Sequence, residues 1–181
     1  FRRVLFRSDW IKLYPAGAYS FSPTGEDLYE LTYPMPVLQA AIEETHKLGK
    51  KTGCHNYGGE GMRNAIKAGC DTIEHGFGLN RADVDLMVSK GLFFDPTLTR
   101  YTEPYMDDND AKNTGGKYRM IPIFEKAVTM ASATTGIKLM VGSGADGATL
   151  PHGTQAQEFV NLVKHAGVSP AKVIQAGTIT N

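Results

Sequence analysis

The chain has 181 residues, enough to bury a sizeable core and typical of a single domain. Its apolar fraction of 41% and charged fraction of 21% are those of an ordinary globular protein. Nineteen basic residues balance nineteen acidic ones, so charge gives no reason to expect nucleic acid or an anionic membrane as partner. No apolar run approaches the roughly 20 residues of a membrane helix, and the first residues carry no signal-peptide pattern.

Residues 1–8, FRRVLFRS, carry three arginines and no turn or cap logic, and read as a non-native leader; the domain proper is expected over 9–181. A short strand, Trp10 to Tyr14, follows, with Lys12 inside it. A long loop rich in Gly, Ser, Pro and Tyr is expected from Pro15 to Pro34. Helical spacing of Val37, Leu38, Ala41, Ile42 and Leu48 predicts a helix over 35–48, stopped by Gly49. Strand Lys51–His55, helix Glu60–Ala68, strand Asp71–His75, helix Arg81–Lys90 and strand Leu92–Asp95 come next. A second long loop runs to about Gly116. Helix Tyr118–Thr134, strand Lys138–Val141, helix Thr154–His165 and a last helix opened by Ser169-Pro170 complete the pattern.

Five strands alternating with helices demand a parallel sheet. No G-x-G-x-x-G follows any strand, which counts against a dinucleotide fold. Lys12, His55, His75 and Asp146 lie at or just past C-terminal strand ends, where (β/α)₈ barrels keep their chemistry. The expected fold is therefore α/β, a partial (β/α)₈ TIM barrel of parallel strands. Five units cannot close eight strands, so both ends read as cut.

His55 and His75 close consecutive strands, and two imidazoles placed so can reach one metal ion. Lys12, costly to bury unpaired, could pair structurally, form a Schiff base, or carry CO₂ as a metal-bridging carbamate. Asp146, among glycines, could bind metal and take a proton from water. Tyr57, Arg100, Tyr101 and His152 are candidate substrate contacts; arginine suits a carboxylate through its bidentate fork. Tyr14, Tyr19 and Tyr105 could line the same pocket. Glu74 should face away from His75 and reads as structural, as do His46 and His165 on helices. Cys54 and Cys70 form no disulfide framework; they read as small buried apolar side chains, Cys54 facing away from His55, in a reducing, cytoplasmic setting.

Taken in order, Trp10-Ile11-Lys12-Leu13-Tyr14, Cys54-His55-Asn56-Tyr57-Gly58-Gly59-Glu60-Gly61, Asp71-Thr72-Ile73-Glu74-His75-Gly76, Gly142-Ser143-Gly144-Ala145-Asp146 and Pro151-His152-Gly153 leading into Glu158 make a set. This set resembles the metal-dependent amidohydrolase superfamily, in its imidazolonepropionase-like and Xaa-Pro dipeptidase (prolidase) branch, over strands 4 to 8 of the barrel.

The resemblance implies two divalent metals, usually zinc, with carboxylated Lys12 bridging them and His55 and His75 holding the second. Asp146 would ligate the first and act as general base while a metal-bridging hydroxide attacks an amide carbonyl. The implied substrate is a dipeptide of Xaa-Pro type or an N-acyl amino acid, with no nucleic-acid or membrane partner; a homo-oligomer stays open. The sequence departs from the family where the strand 1 His-x-His and flanking β-sandwich are absent, and where Tyr57 stands in place of a second histidine. The stretch alone is expected to be inactive. A Schiff-base aldolase or lyase acting through Lys12, or an inactive metal-binding fragment, is the alternative.

Overall fold

The computed structural model describes residues 8–21, 27–102, 117–145, 147 and 150–181. Six strands make one sheet: β1 (Trp10–Phe21), β2 (Asp27–Leu31), β3 (Lys51–Asn56), β4 (Thr72–His75), β5 (Phe93–Asp95) and β6 (Lys138–Leu139), in the order β2-β1-β3-β4-β5-β6. From β1 to β6 through β3, β4 and β5 every pairing is parallel. The helices are α1 (Met35–Lys47), α2 (Gly59–Ala68), α3 (Arg81–Lys90), α4 (Lys117–Ala133), α5 (Gln157–Ala166) and α6 (Pro170–Gln175). A 3₁₀ turn, Leu98–Tyr101, follows β5. Helices alternating with parallel strands agree with the α/β reading.

The segment expected as a loop from Pro15 is different. β1 runs on to Phe21 and folds back on β2 as an antiparallel pair, with a register shift between Ala16 and Tyr19. Pro15, Gly17 and the serines hide the strand from propensity reasoning, because the new pairing satisfies the backbone that those residues leave irregular. Gly61 records how closely this region packs: a Cβ there would lie 2.2 Å from the Pro15 carbonyl oxygen.

The parallel register puts Leu13, Cys54, Ile73, Phe94 and Leu139 on one face. That face meets Leu38, Ile42, Met62, Ile66, Val84, Met87, Phe124 and Leu162 from the helices in a single core. Burying each large side chain of this set contributes about 1.5–3 kcal/mol. The opposite face carries Lys12, Gly53 and Thr72 in one layer and Tyr14, His55, Glu74 and Asp95 in the next. It is open to solvent at Trp10 and Tyr14, 45% and 47% exposed.

The cysteines differ from expectation. Cys54 and Cys70 are both fully buried and bonded to each other, with Cα atoms 6.4 Å apart. The parallel pairing of β3 with β4 brings the end of α2 beside Cys54, a proximity that spacing along the chain does not reveal. A disulfide removes the argument that the cysteines gave for a reducing compartment. Among the described residues no helix is long and apolar enough to cross a membrane.

Candidate metal centre

The site forms where β3 and β4 end, beside Lys12 to Tyr14 of β1. His55 follows the alternation of β3 and points to the open face, where Tyr14 stacks on it at 4.8 Å between ring centroids. His75 should point the other way, by the same alternation that sends Glu74 inward. It does not, because its backbone is left-handed, with φ 66°, and Gly76 follows at φ 70°. This costs about 1–3 kcal/mol for a non-glycine residue and re-aims the imidazole toward His55. His75 Nε2 lies 2.8 Å from His55 Nδ1.

The outer nitrogen of His75, Nδ1, lies 2.6 Å from Thr97 Oγ1, and that hydroxyl donates to the Pro96 carbonyl at 2.7 Å. With its one proton spent there, Thr97 accepts from His75 Nδ1–H. His75 Nε2 is then the acceptor for His55 Nδ1–H, and His55 Nε2 is left buried without a hydrogen-bond partner. Burial favours the neutral form of both rings. Burial, then Lys12, lowers the His55 pKa to about 4, and the Gly17 backbone only partly opposes them. Burial, then His55, Lys12 and Arg100, holds His75 well below the usual histidine range.

Lys12 Nζ is ion-paired with the Glu74 carboxylate. Its pKa is lowered by burial, while the charge of Asp95 works the other way. Asp95 accepts from the Gly142 N–H at 2.9 Å, and burial raises its pKa. A side chain at Gly142 would collide with that carboxylate, which explains a glycine there. Lys12, Glu74, Asp95, Thr72 and Trp10 line a cavity of about 230 Å³ below the histidine pair.

Glu74 and Asp95 are therefore site residues that the sequence reading missed. Their signal was available in the strict alternation of β4 and β5; His75 was the exception to it, not Glu74. Of the predicted contacts, Tyr57 and Tyr101 join the histidines, with centroids 5.5 and 5.7 Å from the His75 ring. The Tyr101 hydroxyl donates to that of Tyr57 at 3.0 Å. Arg100 is half-buried beside them, its guanidinium carbon 6.0 Å from the Tyr101 ring centre. His152 is exposed on the loop after β6, near Gly147. Asp146, Tyr105 and most of the leader at 1–8 lie outside the described residues, as does the Tyr19 side chain. His46 and His165 each pair with a carboxylate, Asp71 and Glu125, both at 2.7 Å.

The donor set fits a metal ion in part. Two nitrogens bound to one tetrahedral zinc at about 2.0–2.1 Å would lie about 3.3 Å apart, half an ångström more than here. The inner nitrogens already converge, one shared proton stands where a cation would replace it, and Thr97 holds the outer nitrogen of His75. Among the described residues no three His, Cys, Asp or Glu side chains gather around one point.

Comparison with known proteins bears on the fold. No family model matches the sequence. An uncharacterized protein of Mycobacterium bovis is 30% identical over 128 residues, 70% of this chain and 35% of its own length. Ochratoxinase of Aspergillus niger is 25% identical over 144 residues, 78% of this chain and 29% of the enzyme. Among solved structures, a Xaa-Pro dipeptidase superposes with a TM-score of 0.76 at 26% identity, covering 98% of this chain and 43% of that one. A putative prolidase from Bifidobacterium longum gives 0.80 at 22% identity, over 99% and 46%. The chain carries the fold of part of a TIM-barrel amidohydrolase, and its sequence is similar to ochratoxinase and to a Xaa-Pro dipeptidase. It spans about a third of the length of the curated relatives it matches.

Proposed function

We propose that this chain is the C-terminal part, strands 4 to 8, of the barrel of a metal-dependent amidohydrolase that cleaves an amide bond in a dipeptide of Xaa-Pro type or an N-acyl amino acid. The observation that carries the reading is the convergence of His55 Nδ1 and His75 Nε2 at 2.8 Å on the C-terminal ends of adjacent strands. Similarity to prolidases and to ochratoxinase supports amide hydrolysis.

His55 and His75 would hold one divalent cation. Lys12, as a carbamate, and Asp146 would complete a two-metal site. The bound ions supply Lewis acidity and acidify water at neutral pH. Lys12 suits carboxylation in that burial favours its neutral amine, the form that adds CO₂. A carbamate there would stand beside Glu74 and Asp95, and so many anions on one face need cations to hold them together. Asp146 would accept the proton from the attacking water and hand it to the leaving amine. Tyr57, Tyr101 and Arg100 would grip the substrate, Arg100 through its carboxylate. His152 would contact it from the loop.

Cobalt(II) titration of the chain tests the ligand assignment. The visible ligand-field bands of a nitrogen-ligated ion should appear, and His55→Ala and His75→Ala should each weaken binding at least tenfold. Binding unchanged in both variants would refute it. Borohydride trapping of a carbonyl compound on Lys12 would point instead to a Schiff-base lyase.

A further inference from the structure

We propose that Glu158 is a positioning residue for His75, acting from the first turn of α5 through the backbone turn that follows β5. Glu158 is completely buried in the first turn of a helix packed against the 3₁₀ turn after β5. Its two carboxylate oxygens accept from consecutive backbone amides, Leu98 N–H at 2.6 Å and Thr99 N–H at 2.7 Å. These amides belong to the 3₁₀ turn Leu98–Tyr101, whose first N–H groups have no partner inside the turn.

One turn further along α5, Asn161 donates to the hydroxyls of Thr99 at 3.0 Å and Thr102 at 3.2 Å. The helix thus grips the 3₁₀ turn at two points. The strained residue lies just before the grip: Thr97 is left-handed at φ 50°, a conformation that β-branched side chains avoid. Its hydroxyl receives His75 Nδ1–H. The path is short: the carboxylate fixes the Leu98 and Thr99 amides, these fix Thr97 in a backbone state it would otherwise leave, and Thr97 fixes the tautomer of His75. The tautomer decides which His75 nitrogen faces His55. The same turn carries Arg100 and Tyr101.

The bearing of Glu158 on catalysis rests on the hydrolase reading; the positioning does not, and its test needs neither metal nor substrate. Long-range ¹H–¹⁵N spectra of the chain labelled with ¹⁵N-histidine report the protonated nitrogen of each ring. Above pH 7, where Glu158 is ionised, wild type should show His75 as one tautomer, protonated at Nδ1. Glu158→Gln presents an amide N–H₂ to a backbone N–H and loses one acceptor. It should at least halve the ¹⁵N shift difference across the His75 ring, as Thr97→Ala should, and the double variant should add nothing more. Asn161→Ala, which frees the Thr99 and Thr102 hydroxyls but leaves the Leu98 and Thr99 amides held, should move the His75 signals less than Glu158→Gln does. If Glu158→Gln does not fold, Glu158→Asp, which keeps the charge but shortens the reach, should move the same signals. A folded Glu158 variant with a lower melting temperature and unchanged His75 nitrogens would overturn the proposal and leave Glu158 a stability residue alone.

Discussion

His55 and Glu158 oppose one another as titrating groups, because burial discourages the charged form of each. For His55 the pKa falls from 6.5 unfolded to about 4 folded, so the unfolded chain binds more protons between those values. Stability from this group is therefore complete above pH 6.5 and lost as pH falls toward 4. For Glu158 burial raises the pKa from 4.5 to about 7; the bonds from Thr99 and Leu98 oppose it, and Asp95 adds to it. Here the folded chain holds the extra proton, and stability declines as pH rises from 4.5 to 7. Urea unfolding across pH 4–8 should show a shallow maximum between the two effects. Glu158→Gln should reduce the decline on the alkaline side, which Asp95 shares, and His55→Ala the loss on the acid side, which His75 shares. Unchanged pH slopes in both variants would contradict the assignment. At this scale the sequence marked His55, His75 and Lys12 as candidates, because polar residues within or closing apolar strands stand out, and the structure brings the three to one region. The sequence did not disclose Glu74 and Asp95. The left-handed backbone of His75 breaks the alternation, and no pattern of side-chain types reports a single φ.

Asp71 and Gly61 do at the level of elements what those residues do in the site. Asp71, just before β4, accepts from Thr52 N–H at 2.8 Å, Thr52 Oγ1 at 2.9 Å and Lys51 Nζ at 2.9 Å, and meets His46 Nε2 at 2.7 Å. It thereby ties β3, β4 and α1 together. Burial would raise its pKa, but the bonds from Lys51, His46 and Thr52 outweigh that and bring it down to about 2. Asp71→Ala strands the Thr52 donors and should lower stability by about 2–3 kcal/mol, read as a shift in the denaturant midpoint at constant slope. Gly61→Ala is the sharper case. In a free helix alanine gains about 1 kcal/mol over glycine. Here the added carbon meets the Pro15 carbonyl, so the variant should be less stable than wild type; a stabilised variant would show that α2 and β1 are not packed so tightly. Helix ends were well marked in the sequence: Gly49, Gly69, Gly91 and Gly167 are all left-handed, and Asn80 with Asp83 forms a capping box. The antiparallel extension of β1 was not. Pro15 and Gly17 weaken local strand preference, and the pairing comes from contacts made only after the chain turns back.

Across the molecule, among the described residues, the helices pack on one sheet face, while the other exposes Trp10 and Tyr14. The chain matches 38–46% of the length of several barrels of similar fold. The barrel class was readable because alternating strands and helices fix a parallel sheet, and the polar strand ends mark its functional rim. The disulfide was not, since proximity of Cys54 and Cys70 depends on how β3 and β4 pair. Linking residues 16 apart should add about 3 kcal/mol to stability. Thiol alkylation under denaturing, non-reducing conditions should find no free cysteine, and Cys70→Ala should lower the melting temperature by several degrees; two free thiols would contradict the bond.

The most direct test of the central claim joins this chain to the N-terminal barrel strands of a related prolidase. Metal content and hydrolysis of Xaa-Pro dipeptides are measured together, beside Lys12→Ala and His55→Ala. The account predicts close to two divalent metals per chain and dipeptide cleavage, with both lost in the two variants. Dipeptide cleavage that persists without bound metal, or that survives loss of Lys12 and His55, would contradict it.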